Sequence, residues 1–416
     1  MKRKFVLSRV AGAGALAILA SALCQGQPRL SLEEAVRQAL ASRASLRAEA
    51  ERISVAEGLR KQAGTIPNPE FQFQNENLRP GQTYGRDVDT LAMINQPLDI
   101  LGKRRERIAV ADRSVQRSRA DYDSARWEIA RQVRIAYWAA RGAQEVRDVL
   151  KSTVENFQKI VDYHANQLSV GAIAEQDLLR VRLERERLSI SADLAVIDVD
   201  RSRMDLLKEM GRTDFADILL TEPLGLDASI QPVGAEQVVS QRAEVKAARA
   251  AVEEAQANVK LQDVAARPDL NLTYGYKRTE LPDTAAGVNT AIFSLRVTLP
   301  VTDKNQGNRA AALAEVRRRQ ELLHAIENQV RMEYSSAAHE YELRRAEVIN
   351  ALQPLREHAA TLSQIAAAAY AEGGVDLLRF LDAERSRLDA ELAWARGMSE
   401  YGQSIAKLLA AEGVEQ

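Results

Sequence analysis

The sequence contains little cysteine, few aromatic residues and almost no net charge. Of its 416 residues, one is cysteine and 5% are aromatic, and the formal net charge is −1. A single cysteine cannot form a disulfide within the chain. The balanced charge removes the electrostatic basis for binding nucleic acid, so we expect no nucleic-acid partner.

Motifs that carry catalysis or cofactor binding are also missing from the sequence. It contains no GxSxG, no P-loop and no HExxH. The four histidines, His164, His324, His339 and His358, are too scattered along the chain to suggest a ligand cluster. We interpret them as packing residues or helix-surface residues. The sequence therefore predicts no enzyme, no cofactor and no metal site.

The only long apolar run lies near the start of the sequence. A basic stretch at residues 2–4 precedes an apolar run at 10–23, which is typical of a secretory signal peptide over residues 1–24. Cleavage after Ala22 or after Cys24 fits this pattern. Leu23 occupies the position where lipoproteins carry a small residue, so we do not expect lipidation at Cys24. No later run could form a transmembrane helix, so any membrane crossing would require strands.

A seven-residue repeat dominates the first part of the remaining chain. Apolar residues recur at this spacing without an intervening proline: Ile108, Val115, Tyr122, Ile129, Ala136, Ala143, Leu150 and Phe157. Such a repeat predicts a coiled-coil helix over residues 101–168. At 1.5 Å per residue its length would be about 100 Å.

The helical pattern turns and returns, and the whole arrangement occurs twice. After SVGAIAEQ at 169–176, the returning pattern has apolar residues Leu179, Leu183, Ile190, Leu194 and Ile197. Residues Leu377, Leu381, Leu388, Leu392 and Ala395 repeat these positions 198 residues later. SRASLRA at 42–48 is answered by QRAEVKA at 241–247. We interpret this as an internal duplication.

The duplication defines the predicted organisation. The first repeat, at 25–210, has a lead-in helix, a β-hairpin at 67–98, the long helix at 101–168, a tip at 169–174 and a return helix at 175–210. A connection follows at 211–235. The second repeat, at 236–411, has a lead-in helix at 236–265, a β-hairpin at 268–300, a long helix at 307–368, a tip at 371–375 and a return helix at 376–411.

Each predicted hairpin has alternating apolar residues after a proline. The stretches PNPEFQFQNEN and RPDLNLTYGYKR place six side chains on one strand face, which we predict to contact lipid: Phe71, Phe73, Leu270, Leu272, Tyr274 and Tyr276. Strands of about 10 residues suit a tilted membrane strand. Four strands cannot close a barrel, so a membrane location would require oligomerisation. The alternative is a soluble sheet that caps a helical body.

The order of these elements resembles that of TolC-family outer-membrane efflux proteins from Ser31 to about Leu409. The resemblance depends on PNPEF, QPLDILGKR, LPVTDKNQGNR and GGVDLLRFLDAE in this order. Its PNPE, GKR and KNQGN segments are most similar to the heavy-metal branch of the CusC and CzcC type. The resemblance implies a mainly α fold with a small β part. Duplicated coiled-coil hairpins would form an α-barrel, and a homotrimer would place four strands per protomer in a twelve-stranded β-barrel.

The same resemblance implies a function and partners. It suggests the exit duct of a tripartite efflux pump in the outer membrane of a Gram-negative bacterium, with a long periplasmic tunnel and heavy-metal cations as substrate. The implied partners are a periplasmic adaptor of the membrane fusion protein type, an inner-membrane RND-type pump and outer-membrane lipid. Two alternatives remain open, a drug or type I secretion duct of the same fold and a soluble periplasmic coiled-coil scaffold.

The two helical turns are candidate docking sites for the adaptor. Glycines there permit close backbone approach, and leucines flank them with apolar surface. The predicted contact residues are Val170, Gly171, Leu178, Leu179, Gly373, Gly374, Leu377 and Leu378. The alternative is that the glycines only close a helical hairpin.

The second turn also contains candidate gate residues. Alignment of GGVDLLRFLDAE with the family's tip places Asp382 and Arg379 at constriction positions, although Arg379 departs from the family's acidic pattern. In a trimer, Asp382 would form a ring of three carboxylates that attracts cations, and Arg379 would pair with a neighbouring acid. The alternative for Asp382 is a solvated helix residue. Asp376 is a third gate candidate and has an alternative role as a helix N-cap.

Overall fold

The computed structural model describes residues 28–76, 78, 80–81, 88–226, 230, 233–279 and 287–413. The predicted signal peptide and Cys24 lie outside the described residues, as do parts of both hairpin loops and of the 211–235 connection. The described chain is mainly helical, with one four-stranded sheet and one two-stranded sheet. The predicted fold class, mainly α with a small β part, is confirmed.

The first repeat contains four helices and three strands. In chain order these are β1 Arg29–Leu30, α1 Leu32–Ser42, α2 Ala44–Ala63, β2 Glu70–Glu76, β3 Asp89–Leu98, α3 Lys103–Ser169 and α4 Glu175–Glu209. Helix α1 begins with a side-chain cap, because the Ser31 hydroxyl accepts a hydrogen bond from the backbone N–H of Glu34 at 3.3 Å.

The second repeat has the same order. It contains β4 Leu219–Leu220, α5 Ala235–Gln241, α6 Ala243–Ala265, β5 Asp269–Thr279, β6 Val288–Thr298, α7 Gln306–Glu347, a π-helical segment Val348–Leu352, α8 Gln353–Ala371 and α9 Leu377–Glu412. Pro354 lies just after the π segment and has no N–H to donate to the preceding helical turn, so the regular hydrogen-bond ladder is interrupted there.

An arginine with extended backbone divides each lead-in helix. Arg43 separates α1 from α2 with ψ 118°, and Arg242 separates α5 from α6 with ψ 134°. The two arginines are 199 residues apart, which is the offset between SRASLRA and QRAEVKA. The structure therefore divides the single lead-in helix expected over 236–265, because one residue outside the α region changes the direction of the chain.

The four-stranded sheet is antiparallel, with the strand order β2-β3-β5-β6. Its register aligns Phe71 with Ile94, Ile94 with Tyr274, and Tyr274 with Phe293. Directly paired residues on neighbouring strands point to the same face, so these four side chains form one row across the sheet. The smaller sheet pairs β1 with β4 in parallel.

The chain divides into two compact units. The first comprises the described parts of Met1–Ser42, Gln132–Asp227 and Arg344–Gln403, and the second those of Arg43–Arg131, Ala228–Leu343 and Ser404–Gln416.

The core of the first unit consists of apolar side chains from α3, α4 and α9. It includes Leu150, Phe157, Val161, Leu178, Val181, Leu188, Leu377, Phe380, Leu381 and Leu388. Leu150 and Phe157 belong to the seven-residue repeat that predicted the long helix. The repeat is buried here because it places one apolar side chain on the same face of α3 at every second turn.

The second unit contains the four-stranded sheet, helix α2 of the first repeat and the lead-in helices α5 and α6 of the second repeat. Its buried apolar side chains include Leu46, Val245, Val252, Val264, Val330 and Leu408. Within the described residues, no helix has both the length and the apolar character needed to cross a membrane.

Candidate functional site: sheet face, helical tips and gate residues

One face of the four-stranded sheet is apolar and exposed. The cross-strand register assigns to it Phe71, Phe73, Ala92, Ile94, Leu98, Leu270, Leu272, Tyr274, Tyr276, Ala291, Phe293, Leu295 and Val297. Gln96 lies among them, and a polar row of Asn75, Thr90, Arg278 and Asn289 follows at one end of this face. Among the large apolar side chains that are exposed on this face, the exposed fraction ranges from 41% for Val297 to 76% for Phe293. Of the six predicted residues, Leu270 and Leu272 are half-buried and the other four are exposed. All six share this face.

The opposite face of the sheet is more polar. Gln72 and Gln74 lie there, and their side chains are hydrogen bonded to each other at 3.1 Å. Asn95 donates to Gln72 at 3.3 Å, and the Thr273 hydroxyl donates to Asn95 at 2.6 Å. The sheet therefore has one apolar face and one face of hydrogen-bonded polar side chains.

The two helical tips have the same backbone construction. Gly171 and Gly373 have φ 73° and 76°, in the left-handed region that favours glycine. In each tip, two backbone N–H groups donate back to the end of the long helix, for example Gly171 to Leu168 and Ala172 to Gln167 at 2.9 Å. This is a Schellman motif. A Cβ at either glycine would meet no atom within 4 Å.

The structure divides the leucines that flank the tips into two pairs. Leu178 and Leu377 are buried in the core of the first unit, whereas Leu179 and Leu378 are exposed. Val170 is also exposed. The prediction placed all four leucines on a contact surface, but consecutive helix residues differ by about 100° in direction, so one leucine of each pair faces the core. The exposed apolar tip residues are therefore Val170, Leu179 and Leu378.

A buried aromatic stack lies close to the tips and was not predicted. The His164 Nδ1 bonds to the Ile160 carbonyl at 2.8 Å, and its Nε2 bonds to the Tyr370 hydroxyl at 2.7 Å. Tyr370 stacks on Phe380 with ring centroids 5.1 Å apart. Burial raises the pKa of Tyr370 above its ordinary value. His164 lies seven residues after Phe157, so the heptad pattern contained the signal for its burial.

The side chains of the three gate candidates form no ion pair with one another in the described residues. Asp376 caps α9, because its Oδ1 accepts a hydrogen bond from the backbone N–H of Arg379 at 2.9 Å. The side chains of Arg379 and Asp382 are exposed, and within the described part of this single chain Arg379 forms no ion pair. The chain thus presents the carboxylate of Asp382 and the guanidinium of Arg379 to solvent.

Two buried carboxylates next to the gate residues are held by other partners. Glu184 of α4 receives two hydrogen bonds from Arg385 of α9, at 2.9 and 2.5 Å. These bonds hold the pKa of Glu184 below its ordinary value. Glu384 accepts from the Ser363 hydroxyl at 2.5 Å and from Arg387 at 3.0 Å. The contacts of Glu184 with Arg385 and of Glu384 with Ser363 join different helices, and the sequence patterns did not predict them.

The return helix α4 has an exposed apolar stripe. Its members are Leu179, Leu183, Ile190, Leu194 and Ile197, and each is between 51 and 62% exposed. At an offset of 198 these five positions correspond to residues of α9 that are largely buried, so corresponding residues of the two return helices differ in exposure. At an offset of 200, Leu188 and Leu388 are both buried, as are Ala195 and Ala395.

The described residues contain no group of three or more His, Cys, Asp or Glu side chains arranged to hold a metal ion. The geometry therefore consists of a two-faced sheet, two glycine tips and an exposed apolar stripe on a helix.

Comparison with known proteins identifies this arrangement. The outer membrane efflux protein family matches residues 35–203 and 235–414. The cobalt-zinc-cadmium resistance protein CzcC of Cupriavidus metallidurans is 25% identical over 369 residues, which cover 88% of this chain and 85% of that protein.

Solved structures share the fold at low sequence identity. The MtrE outer membrane channel of Neisseria gonorrhoeae in its open state is 20% identical, with a TM-score of 0.73, covering 92% of this chain and 88% of that chain. The CusC transmembrane channel is 17% identical, with a TM-score of 0.72, covering 94% and 95%. The family match spans both repeats and most of the chain, so this protein belongs to the outer membrane efflux protein family and is an efflux channel, not an enzyme.

Proposed function

We propose that three copies of this chain form the exit duct of a tripartite pump that exports heavy-metal cations across the outer membrane. The observation that carries this proposal is the four-stranded sheet, in which an exposed apolar face lies opposite a polar face. In the described chain the edge strands β2 and β6 each have one neighbour. Three such sheets joined edge to edge would make a closed barrel of twelve strands, with the apolar face toward lipid.

The exposed stripe on α4 supports assembly into a trimer. An apolar stripe of this length is typical of a helix that packs against another protein surface. Helix α8 has exposed apolar residues of its own, Leu355, Leu362 and Ile365. Pairing of one copy's α4 with the next copy's α8 would bury both sets and close a ring of helices, which would form the periplasmic tunnel.

Fractionation of cells tests the membrane part of this proposal. We expect the mature protein in the outer-membrane fraction, released only by detergent, and we expect chemical cross-linking to give trimers. A protein that remains in the periplasmic extract without detergent would favour the soluble scaffold. The intact mass of the purified protein would test cleavage of residues 1–24 and the absence of lipid at Cys24.

The heavy-metal substrate is supported by the match to CzcC and by the PNPE, GKR and KNQGN segments. Deletion of the gene should increase sensitivity to zinc, cobalt, cadmium, copper or silver, while sensitivity to a panel of drugs stays unchanged. Loss of drug resistance alone would favour a drug duct of the same fold. Complementation with the wild-type gene should restore metal resistance.

The tips are proposed to dock the periplasmic adaptor, which would connect the duct to an inner-membrane RND-type pump. The open space around Gly171 and Gly373 and the exposed side chains of Val170, Leu179 and Leu378 support this role. Gly374 lies next to the second tip glycine, and its backbone N–H closes the motif by donating to Ala369 at 2.8 Å. Leu178 and Leu377 would support the tips from the core.

A further inference from the structure

The edge of the sheet where the strands meet the helices has exposed aliphatic side chains. By register, the ends of the four strands at Glu70, Leu98, Asp269 and Thr298 lie along this edge. Next to them in sequence are Ile66, Ile100, Leu299 and Val301, which are 64 to 71% exposed. We call these four residues the aliphatic collar.

Three cations at the same edge have no acidic partner among the described residues. The Arg104 Nε donates to the Gly64 carbonyl at 2.7 Å, and the Arg267 Nη1 donates to the Leu101 carbonyl at 2.6 Å. The Lys304 ammonium group is exposed and has no partner in the described chain. We call Arg104, Arg267 and Lys304 the cationic collar.

Neighbouring cations at this edge differ from these three because they are paired with acids. Lys103 lies 2.7 Å from Asp269, and Arg107 lies 2.5 Å from Asp99. Arg309 lies 2.6 Å from Asp263. At this edge, the three residues of the cationic collar thus have no acidic partner in the described chain, whereas these neighbouring cations do, and exposed aliphatic side chains lie beside them.

The two arginines are held in place while most of their donors stay free. A guanidinium has five N–H donors, and each of these two uses one on a backbone carbonyl. The remaining donors suit two oxygens of one phosphate group, and a lysine adds a compact positive charge. Gly102 leaves room for this arrangement, because a Cβ there would lie 3.0 Å from the Arg267 Nη1.

We propose that the two collars together bind phospholipid at the membrane leaflet that meets the helical end of the sheet. The cationic collar would contact the phosphate groups of anionic phospholipids, and the aliphatic collar would enter the acyl region just beyond them. This inference rests on the proposed membrane location of the sheet. It commits to lipid because free phosphate would leave the four aliphatic side chains in water.

The test measures lipid binding to the full-length protein purified in detergent, by native mass spectrometry with phosphatidylglycerol or phosphatidylcholine. The variant carries Arg104→Gln, Arg267→Gln and Lys304→Gln. A cation at a membrane surface contributes about fivefold in affinity for anionic lipid. We therefore expect wild type to prefer phosphatidylglycerol and the triple variant to bind it at least tenfold more weakly.

The matched control removes three exposed cations from the first unit, with Lys151→Gln, Arg180→Gln and Arg182→Gln. It changes the net charge equally, so it should keep the preference for phosphatidylglycerol. Unchanged binding by the collar variant, or equal loss in the control, would overturn the inference. Displacement of phosphatidylglycerol by inorganic phosphate would also overturn it, since the site would then take free phosphate.

Two outcomes separate this inference from the proposed function. If wild type binds both lipids equally and still requires detergent for extraction from the outer membrane, the collar inference fails alone. If wild type binds neither lipid and stays in the periplasmic extract, the membrane location itself is wrong. Thermal melting of the variants should match wild type, because all six substituted side chains are on the surface.

Discussion

In the first repeat, the long helix α3 runs through 67 residues without interruption, whereas its counterpart in the second repeat contains the π segment Val348–Leu352. Helix α9 packs closely against this π segment, because a Cβ at Gly397 would lie 2.1 Å from the Leu352 Cδ1. Two hundred residues earlier in the sequence, Ile197 is exposed. Duplicated helices can therefore keep the same positions in the chain while they bury different faces.

The hydrogen bonds and glycines at the ends of corresponding segments differ less between the two repeats than the long helices do. Tyr137 donates to the Leu30 carbonyl at 2.9 Å, and Tyr334 donates to the Val233 carbonyl. Each bond ties a long helix to the segment before a lead-in helix of the same repeat. Gly211 and Gly413, both with positive φ, follow the ends of the two return helices. Equivalent substitutions in the two repeats can therefore distinguish the effect of a feature that both repeats share from the effect of packing found in only one of them.

The largest expected effect is the loss of Arg242. Its guanidinium is buried, lies 4.6 Å from the centre of the Trp127 ring, and bonds to Glu244, Glu333 and the Ala411 carbonyl. Replacement with alanine would remove this partner from all three groups. Because both carboxylates are partly exposed, water would offset part of the loss. We expect Arg242→Ala to lower the free energy of unfolding by about 3 kcal/mol.

Urea unfolding of the detergent-solubilised protein would measure this loss. The equivalent Arg43→Ala is the internal comparison, and we expect a smaller loss because Arg43 is only half-buried. Equal losses would mean that the extended backbone of the arginine matters and its side-chain contacts do not.

The two tyrosines should differ in the cost of losing a hydroxyl group. Tyr137 is fully buried, and its oxygen also accepts hydrogen bonds from the backbone N–H groups of Thr221 and Glu222 at 3.2 Å. Tyr137→Phe would remove all three hydrogen bonds, although the Thr221 N–H would still donate to the Leu30 carbonyl at 3.2 Å, at a cost of about 2 kcal/mol. Tyr334→Phe would remove one bond, at about 1 kcal/mol. Unfolding curves measured side by side would refute this comparison if the two variants were equally stable.

At the tips the two repeats should respond alike. Gly171→Val and Gly373→Val each force a β-branched residue into the left-handed region, at about 1–2 kcal/mol. Because the tips are the proposed adaptor sites, we expect loss of metal resistance in cells although trimers still form. Gly225→Val is the control, since Gly225 has open space and no positive φ. Loss of trimers in either tip variant would favour a purely structural role for these glycines.

Two carboxylates should give pH effects of opposite sign. Arg385 lowers the pKa of Glu184, so this pair stabilises the fold above the ordinary value of 4.5 and loses its effect as pH falls through the lowered pKa. Burial raises the pKa of Glu412, whose Oε1 has no hydrogen-bond partner, so ionisation destabilises the fold as pH rises above 4.5. Glu184→Gln should lower stability at pH 7, and Glu412→Gln should raise it.

Unfolding at pH 7 and at pH 4 would measure both effects. We expect both differences from wild type to shrink at the lower pH, because each carboxylate then approaches its neutral form. A constant difference at both values would show that ionisation is not the cause.

Patterns within one segment predicted more of this molecule than did comparison between segments. The heptads at 108–157 lie on α3, and the alternation at Phe71 and Tyr274 lies on strands, because both patterns are local. The breaks at Arg43 and Arg242 could not be predicted, since a change of direction depends on what each helix packs against. The exposure of the stripe on α4 could not be predicted for the same reason, because apolar residues alone do not specify which stripe is covered within one chain.

Asp382→Ala is expected to have the smallest effect on the stability of the isolated protein, and it tests the proposed gate. Asp382 is exposed, whereas Glu184, 198 residues earlier, is buried and paired with Arg385. An exposed carboxylate contributes little to folding, so stability should stay within about 0.5 kcal/mol. In a trimer three such carboxylates would surround the axis and favour cations, so the change should reduce cation selectivity in planar bilayers.

Glu186→Ala, which removes an exposed carboxylate from α4, should leave selectivity unchanged. Arg379→Ala should increase open probability if Arg379 pairs with an acid of a neighbouring copy. Unchanged selectivity and open probability in Asp382→Ala would rule out the carboxylate ring, and Asp382 would then be a solvated residue in the first turns of α9.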